Sequence, residues 1–144
     1  MNVKIYTDGL PVEAKEIREA VFVEEQGFLH EFDQVDETAA HIVLYDNGQA
    51  PVAACRVFWD CSADSYIIGR LAVVQKHRGK KIGGVLLREA EQYIVGQNGR
   101  SAALCAQCRV MDFYRKCGYT PYGEVKDDEG CPHIWMRKQL VCRP

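Results

Sequence analysis

Residues 78–88, with the sequence RGKKIGGVLLR, join a glycine- and lysine-rich turn to the start of an amphipathic helix. The first N–H groups of a helix have no intrahelical acceptor, and the helix dipole adds partial positive charge at the same end. The turn contains three glycines and three cations: Gly79, Gly83, Gly84, Arg78, Lys80 and Lys81. Glycines let a ligand approach the backbone closely. This combination predicts a site for a diphosphate-bearing ligand.

The turn differs from two well-known phosphate motifs. The chain contains no G-x-x-x-x-G-K-[ST] sequence, which excludes a Walker A loop. A Rossmann site needs G-x-G-x-x-G after the first strand, whereas this turn follows the third or fourth predicted strand. The simplest alternative is a solvated basic turn that only opens a helix.

Apolar runs and turn signals predict the elements that position this turn. Strands are expected at 3–6, 41–45, 51–59, 66–74, 102–106, 119–125 and 133–140, and helices at 11–26, 80–95 and 110–117. The acidic and aromatic residues 28–38 predict a surface loop or short helix. The order β-α-β-β-β-α-β-α-β-β indicates an α/β fold with a mixed sheet and helices on its faces.

Length and composition fit one domain that spans residues 1–144. The net charge is −2, so no general affinity for nucleic acid is expected. The apolar runs are shorter than the ~20 residues of a membrane helix, and the N-terminal residues lack the apolar core of a signal peptide. We therefore expect a cytoplasmic protein without a membrane partner.

The chain has seven cysteines: Cys55, Cys61, Cys105, Cys108, Cys117, Cys131 and Cys142. An odd number without a secretion signal favours reduced thiols, and Cys55 and Cys105 lie in apolar runs as small hydrophobic residues. The C-x-x-C at Cys105 and Cys108 could form a redox dithiol. Cys117, Cys131 and His133 could complete a zinc site, but we expect a protein that binds no metal.

The turn, together with the preceding Arg70-Leu-Ala-Val-Val, resembles the acyl-CoA-binding motif [Q/R]-x-x-G-x-[G/A] of the GNAT superfamily of N-acetyltransferases. Arg78 occupies the first position of that motif and Gly83 the last. Lys81 replaces the middle glycine. The backbone at Lys81 must therefore avoid positive φ or be strained.

Two further segments carry the same resemblance. Residues 111–119, MDFYRKCGY, are similar to the family's F-Y-x-K-x-G-[F/Y] helix and turn, and residues 21–27, VFVEEQG, resemble the small bacterial branch of ElaA-like and YjcF-like proteins. The resemblance implies a single GNAT-like domain with a mixed, mostly antiparallel sheet and helices on both faces. The sheet would splay near residues 73 and 106 to admit the cofactor.

The resemblance also implies the activity, which is transfer of an acetyl group from the cosubstrate acetyl-CoA to a primary amine by direct attack in a ternary complex. Acetyl-CoA would be bound by Leu71, Ala72, Val73, Val74, Arg78, Gly79, Lys80, Lys81, Ile82, Gly83, Gly84, Gln107, Phe113 and Tyr114. The N–H of Val73 would polarise the thioester carbonyl, and Tyr114 would protonate the departing thiolate. Tyr114 could instead be only a core aromatic residue.

No residue stands out as the base that must deprotonate the amine, because residues 66–74 contain no acid. Glu25, Asp36 and His41 are candidates. Arg56 and Arg70 lie in apolar strands, so each pairs with an acid or binds an acidic part of the acceptor. Together, the candidate substrate residues are Glu25, Asp36, Arg56 and Arg70.

The acceptor is expected to be a small-molecule amine. Its pocket would come from residues 22–37 and the last two strands. The protein would be a monomer or homodimer. A dithiol oxidoreductase and a non-catalytic acyl-CoA-binding module are the alternative functions.

Overall fold

One seven-stranded sheet organises the part of the chain that the computed structural model describes, residues 1–140. Its strands are β1 (Asn2–Tyr6), β2 (Ala40–Tyr45), β3 (Pro51–Asp60), β4 (Ser65–Val73), β5 (Ser101–Gln107), β6 (Thr120–Asp128) and β7 (Cys131–Gln139). Their order in the sheet is β1-β2-β3-β4-β5-β7-β6. Every neighbouring pair is antiparallel except β4 and β5, which are parallel. The predicted mixed, mostly antiparallel α/β fold is confirmed.

The helices are α1 (Val12–Arg18), α2 (Val35–Thr38), α3 (Ile82–Gly96) and α4 (Met111–Lys116). The predicted helix at 11–26 is present, but after Arg18 it continues as a π-helical segment, Glu19–Glu25, up to Gly27 with its positive φ. Short 3₁₀ turns occupy Gln75–His77 and Cys108–Val110. Within residues 1–140, no helix is long and apolar enough to cross a membrane.

The helices cover both faces of the sheet, as predicted. On one face, Leu86 and Ile94 of α3 pack against Ile42 of β2 in the larger core. On the other face, Ile17 of α1 packs with Val43 of β2 in a second core. Alternating β2 residues thus feed two separate layers, because successive side chains of a strand point to opposite faces.

The sheet splays between β4 and β5. These strands pair only at Tyr66–Ala102 and Ile67–Ala103 and then diverge. A β-bulge accompanies the divergence, because residues 70 and 71 of β4 oppose the single residue Cys55 of β3. Arg70, within the bulge, has a φ of 53°. The splay predicted near residues 73 and 106 is confirmed.

Three local expectations were wrong. The final strands extend to a two-residue hairpin turn at Glu129 and Gly130, with φ of 51° and 80°, instead of the longer turn predicted at 126–130. The segment at 28–38 includes the predicted short helix, but Glu31 and Asp36 are buried in it. Cys105 is exposed, because one face of β5 opens at the splay. Cys142 lies outside the described residues.

Candidate active site

A cleft of about 990 Å³ occupies the splay between the two halves of the sheet. The predicted site residues that line it are Leu71, Ala72, Val73, Arg78, Gln107, Phe113, Tyr114, Glu25 and Arg70. The Gln107 side-chain amide donates to Gln26 Oε1 at 2.8 Å and joins the end of β5 to the end of the π-helical segment. The other predicted site residues do not line the cleft: Val74, Gly79, Lys80, Lys81, Ile82, Gly83, Gly84, Asp36 and Arg56.

The backbone N–H and carbonyl of Val73 point toward the gap between β4 and β5. The N–H of Val74 donates to Val52 O of β3, so the adjacent pair of Val73 and Ala53 is a non-hydrogen-bonded pair of the ladder. The Val73 carbonyl accordingly accepts from Arg78 Nε at 2.9 Å. The N–H of Val73 faces the same side as its carbonyl and points into the cleft.

The N-terminus of α3 provides a cradle beyond Arg78. Val85 N donates to Lys81 O, so the N–H groups of residues 82–84 precede the first intrahelical bond, and no side chain caps them. Lys81 has φ 63° and ψ 20°, which resolves the alternatives for its backbone in favour of the strained left-handed conformation. A Cβ on Gly83 would lie 3.2 Å from the Phe113 ring, so glycine leaves the space between turn and cleft open. These features fit a bound diphosphate.

Arg78 and Glu25 form an ion pair at the rim of the cleft. The guanidinium donates to the two carboxylate oxygens at 2.5 and 2.7 Å. This hydrogen bonding lowers the pKa of Glu25 from its ordinary value, although burial opposes it. The charge of Arg78 is therefore paired with a carboxylate, and Glu25 is a weaker proton acceptor than an ordinary glutamate.

Tyr114 lies at the base of the cleft. Its side chain is buried, and its ring packs edge-on against Phe113 and Tyr119 at centroid distances of 5.0 and 6.1 Å. Burial raises the pKa of the Tyr114 phenol. The hydroxyl is accordingly protonated across the ordinary pH range, as a proton donor requires.

Six charged side chains beside the cleft form what we call the buried ion cluster: Arg18, Glu31, Asp33, Asp36, Arg56 and Arg70. Four of them are buried, whereas Asp33 and Arg70 lie at its edge and are 40% and 29% exposed. Arg18 donates to Glu31 Oε2 at 2.9 Å and to the two oxygens of Asp36 at 2.6 and 3.1 Å. Arg56 bonds to Asp33 and Asp36 at 2.6 and 2.9 Å. The three guanidinium groups thus meet three carboxylates, and the cluster ties α1 and α2 to β3 and β4.

The cluster removes three residues from the list of substrate and base candidates. Burial raises the pKa of Asp36, but the hydrogen bonds from Arg18 and from the Asp33 N–H outweigh it and lower the pKa to about 2. Arg56 is buried and binds the same carboxylate. His41 is buried, its Nε2 lies 2.8 Å from the Asp36 carbonyl, and burial lowers its pKa. We therefore reassign Asp36, Arg56 and His41 to structural roles.

Arg70 and Glu31 are the members of the cluster that line the cleft. Arg70, a predicted candidate, lies 3.2 Å from Glu31 Oε2 and 3.4 Å from Asp33 Oδ2. Sequence reasoning missed Glu31, since one acid among several in an acidic segment gives no signal. Only the tertiary fold, which brings Arg18 and Arg70 to it, distinguishes this residue.

The cysteines do not assemble the alternative sites. Cys105 and Cys108 line the cleft as free thiols. Although the Cys105 side chain is solvent-accessible, partial desolvation within the cleft and the nearby Asp128 raise the pKa of its thiol, which is opposite to the activation of a redox dithiol. Within residues 1–140, no three His, Cys, Asp or Glu side chains converge to hold a metal ion, so Cys117, Cys131 and His133 do not form the zinc site considered above.

Comparisons with known proteins agree with this geometry. Residues 11–140 match the family model described as an acetyltransferase (GNAT) domain. The uncharacterized N-acetyltransferase YjcF of Bacillus subtilis is 34% identical over 125 residues, which cover 85% of this chain and 87% of YjcF. The crystal structure of Escherichia coli ElaA has a TM-score of 0.84 and 28% identity, and the match covers 96% of this chain and 99% of ElaA. A crystal structure of an aminoglycoside 6′-N-acetyltransferase complexed with coenzyme A has a TM-score of 0.76 over 100% of this chain and 99% of the other, at 17% identity, and shares the fold.

Proposed function

The chain belongs to the GNAT acetyltransferase family, in the branch of ElaA and YjcF, and is an acyl-CoA-dependent N-acyltransferase; from this premise we propose that it transfers an acetyl group from acetyl-CoA to a primary amine by direct attack in a ternary complex. The observation that carries the proposal is the splayed pair of strands, because the cleft that it opens is lined both by Val73 of β4 and by the buried Tyr114 of α4. The amine is a small molecule, and the reaction takes place in the cytoplasm.

Acetyl-CoA would lie along the cleft as an added strand on β4. The backbone groups of Leu71 and Val73 on the cleft side of β4 would pair with its pantetheine arm, while the free N–H groups of residues 82–84 would bind its pyrophosphate. Lys80 and Lys81 are exposed next to this cradle and supply the charge. Arg78 supports the site from the side, because it fixes the Val73 carbonyl and Glu25.

Val73 would stabilise the reacting carbonyl. As the amine attacks, negative charge develops on the thioester oxygen, and a backbone N–H that is already aimed at this position needs no reorganisation. The bulge at Arg70 accounts for the orientation of the Val73 N–H, because it turns the end of β4 away from β5.

Tyr114 would supply the proton that the thiolate of coenzyme A needs as it leaves. The raised pKa keeps the phenol protonated until the thiolate forms. The raised pKa makes the phenol a weaker acid than a thiol, whose pKa is roughly 8.5, so the transfer requires a donor next to the sulfur, and the lining position of Tyr114 would provide that proximity.

A screen of primary amines with acetyl-CoA tests the proposal. Free thiol release should depend on the amine, and mass spectrometry should find one acetyl group on the amine for each thiol released. Tight acetyl-CoA binding without amine-dependent release by any member of a broad panel would instead indicate a non-catalytic binding module. Thiol release that follows an added disulfide and not an amine would indicate the dithiol oxidoreductase.

A further inference from the structure

The carboxylate of Glu31 is buried, but in the part of the chain that the structure describes only one of its two oxygens is bonded to a neighbouring side chain. Its side chain is 5% exposed, and both Arg18 Nε and Arg70 Nε bind the same oxygen, Oε2, at 2.9 and 3.2 Å. Within residues 1–140, no hydrogen bond reaches Oε1, and the only fully buried side-chain N or O atom without a partner is Arg56 Nε. Oε1 is therefore not fully buried, and Glu31 is one of the residues that line the cleft.

Arg18 and Arg70 fix the orientation of this carboxylate. Arg18 is 1% exposed, and Asp36 binds its other nitrogens, so the guanidinium cannot turn away from Glu31. Arg18 and Arg70 also hold the backbone carbonyl of Glu31 at 3.1 Å each. Because two arginines hold the carboxylate through one oxygen, the other oxygen points in one fixed direction. A group that binds or reacts with a ligand needs such a fixed orientation.

The other carboxylates of the cleft are less suited to bind a ligand. Glu25 is paired with Arg78. Glu129 accepts the N–H groups of Leu29 and His30 with its two oxygens. Asp128 is exposed to solvent next to the hairpin turn.

We propose that Glu31 Oε1 receives the amino group of the acceptor, accepts a hydrogen bond from its nitrogen and takes one of its protons as the nitrogen attacks the thioester. This inference rests on the function proposed above. The N–C bond forms as the C–S bond breaks, the N–H bond gives way to an O–H bond on Glu31, and the Tyr114 proton goes to sulfur. Glu31 then releases its proton to water and Tyr114 regains one.

The surroundings of Glu31 suit a proton acceptor. Burial raises the pKa of Glu31 above its ordinary value, against the lowering effect of Arg70 and Arg18. The charged groups that act on Glu31 are Arg70 on β4, Arg18 on α1 and Arg56 on β3. The titratable side chains of His30, Asp128 and Glu129 line the same cleft. A base with a raised pKa matches an attacking amine better than an ordinary carboxylate does.

Glu31→Gln tests the proposal on an amine found active with the wild-type enzyme. The amide still accepts a hydrogen bond but takes no proton, so kcat should fall roughly 10²–10⁴-fold. The wild-type kcat should fall as pH drops through the raised pKa of Glu31, and this acidic limb should be absent in the variant. Glu31→Asp, which keeps the carboxylate, should retain the limb.

Asp33→Asn is the matched control, because it also removes one negative charge from the buried ion cluster but does not line the cleft. Both variants should lose stability, and only Glu31→Gln should lose the acidic limb. Loss of the limb in both variants, or in neither, would overturn the role of Glu31. A wild-type protein that acetylates no amine would overturn the proposed function itself, so the two failures are distinct.

Discussion

The phenol of Tyr114 is the side chain on which the proposed chemistry depends most directly. Tyr114→Phe keeps the ring and its packing against Phe113 and Tyr119 but deletes the donor. A general acid contributes roughly 10²–10⁴-fold, so turnover should fall by that order. The Kd for acetyl-CoA, measured by calorimetry, should change little, because the ring still fills the same space.

Tyr119→Phe provides the control for this prediction. It removes a neighbouring phenol that donates to Glu91 at 2.8 Å and does not line the cleft. This variant should lose about 1 kcal/mol of stability and keep its turnover. If Tyr114→Phe turned over as fast as the wild-type enzyme, Tyr114 would be a core aromatic residue only.

Lys81 combines backbone strain with a useful charge. The left-handed conformation at φ 63° costs a non-glycine residue roughly 1–2 kcal/mol, while glycine loses about 0.5–1 kcal/mol more entropy on folding. Lys81→Gly should therefore raise the free energy of unfolding by up to about 1 kcal/mol. Its affinity for acetyl-CoA should fall at low salt, and the loss should shrink as salt screens the phosphate charge.

A substitution at the adjacent Lys80 distinguishes the effect of the charge from the effect of the backbone strain. Its φ is not positive, so Lys80→Gly removes a cation without relieving any strain. This variant should lose affinity but gain no stability in urea denaturation. Equal stability changes in the two variants would refute strain at position 81.

At the scale of elements, the first turn of α3 should carry much of the affinity for the cosubstrate. An aspartate in the first turn of a helix favours the helix itself but repels a phosphate at its N-terminus. Gly84→Asp has room, because its Cβ would approach only the Arg88 guanidinium, at 3.7 Å. We expect acetyl-CoA to bind roughly 10- to 100-fold more weakly, since a charge-assisted phosphate contact contributes about 1.5–3 kcal/mol.

Gly96→Asp is the matched control at the opposite end of α3, where a Cβ meets no atom within 4 Å. It introduces the same charge far from the turn and should leave the acetyl-CoA affinity unchanged. Isothermal titration calorimetry compares the two directly. Equal acetyl-CoA affinities in the two variants would show that the turn is not part of the binding site.

Elements set by local sequence could be predicted, and those set by partners could not. The turn at 78–84 and the helix start at Ile82 follow from glycine, charge and apolar spacing within a few residues. The bulge at Arg70 depends on the register with β3, which no local pattern encodes. The π-helical segment after Arg18 and the burial of Glu31 depend on contacts with residues far along the chain. The sequence therefore predicted the turn and helix start at which we propose that acetyl-CoA binds, and it gave no signal for Glu31, the base that we propose.

At the scale of the whole molecule, the buried ion cluster joins the N-terminal layer to the sheet. Removing one partner of a buried ion pair costs about 3–5 kcal/mol, a large part of the roughly 5–15 kcal/mol that stabilises a typical domain. Asp36→Asn, which leaves Arg18 and Arg56 with one carboxylate fewer, should lower the free energy of unfolding by that amount in urea titration.

The same variant has a pH signature. The pKa of Asp36 is lowered from 3.8 to about 2, so its contribution to stability is complete above pH 3.8 and disappears as pH falls toward 2. The difference between wild type and Asp36→Asn should therefore narrow over this range. A difference that stayed constant down to pH 2 would show that the carboxylate charge does not matter to the fold.

The proposed reaction requires that, in the assembled molecule, the splay between β4 and β5 aligns acetyl-CoA between Val73 and Tyr114. A crystal structure with acetyl-CoA tests it most directly. We predict the pyrophosphate on the N–H groups of residues 82–84, the thioester oxygen within hydrogen-bonding distance of Val73 N, and the sulfur next to the Tyr114 hydroxyl. A thioester bound away from Val73, or a ligand outside the splay, would contradict the account.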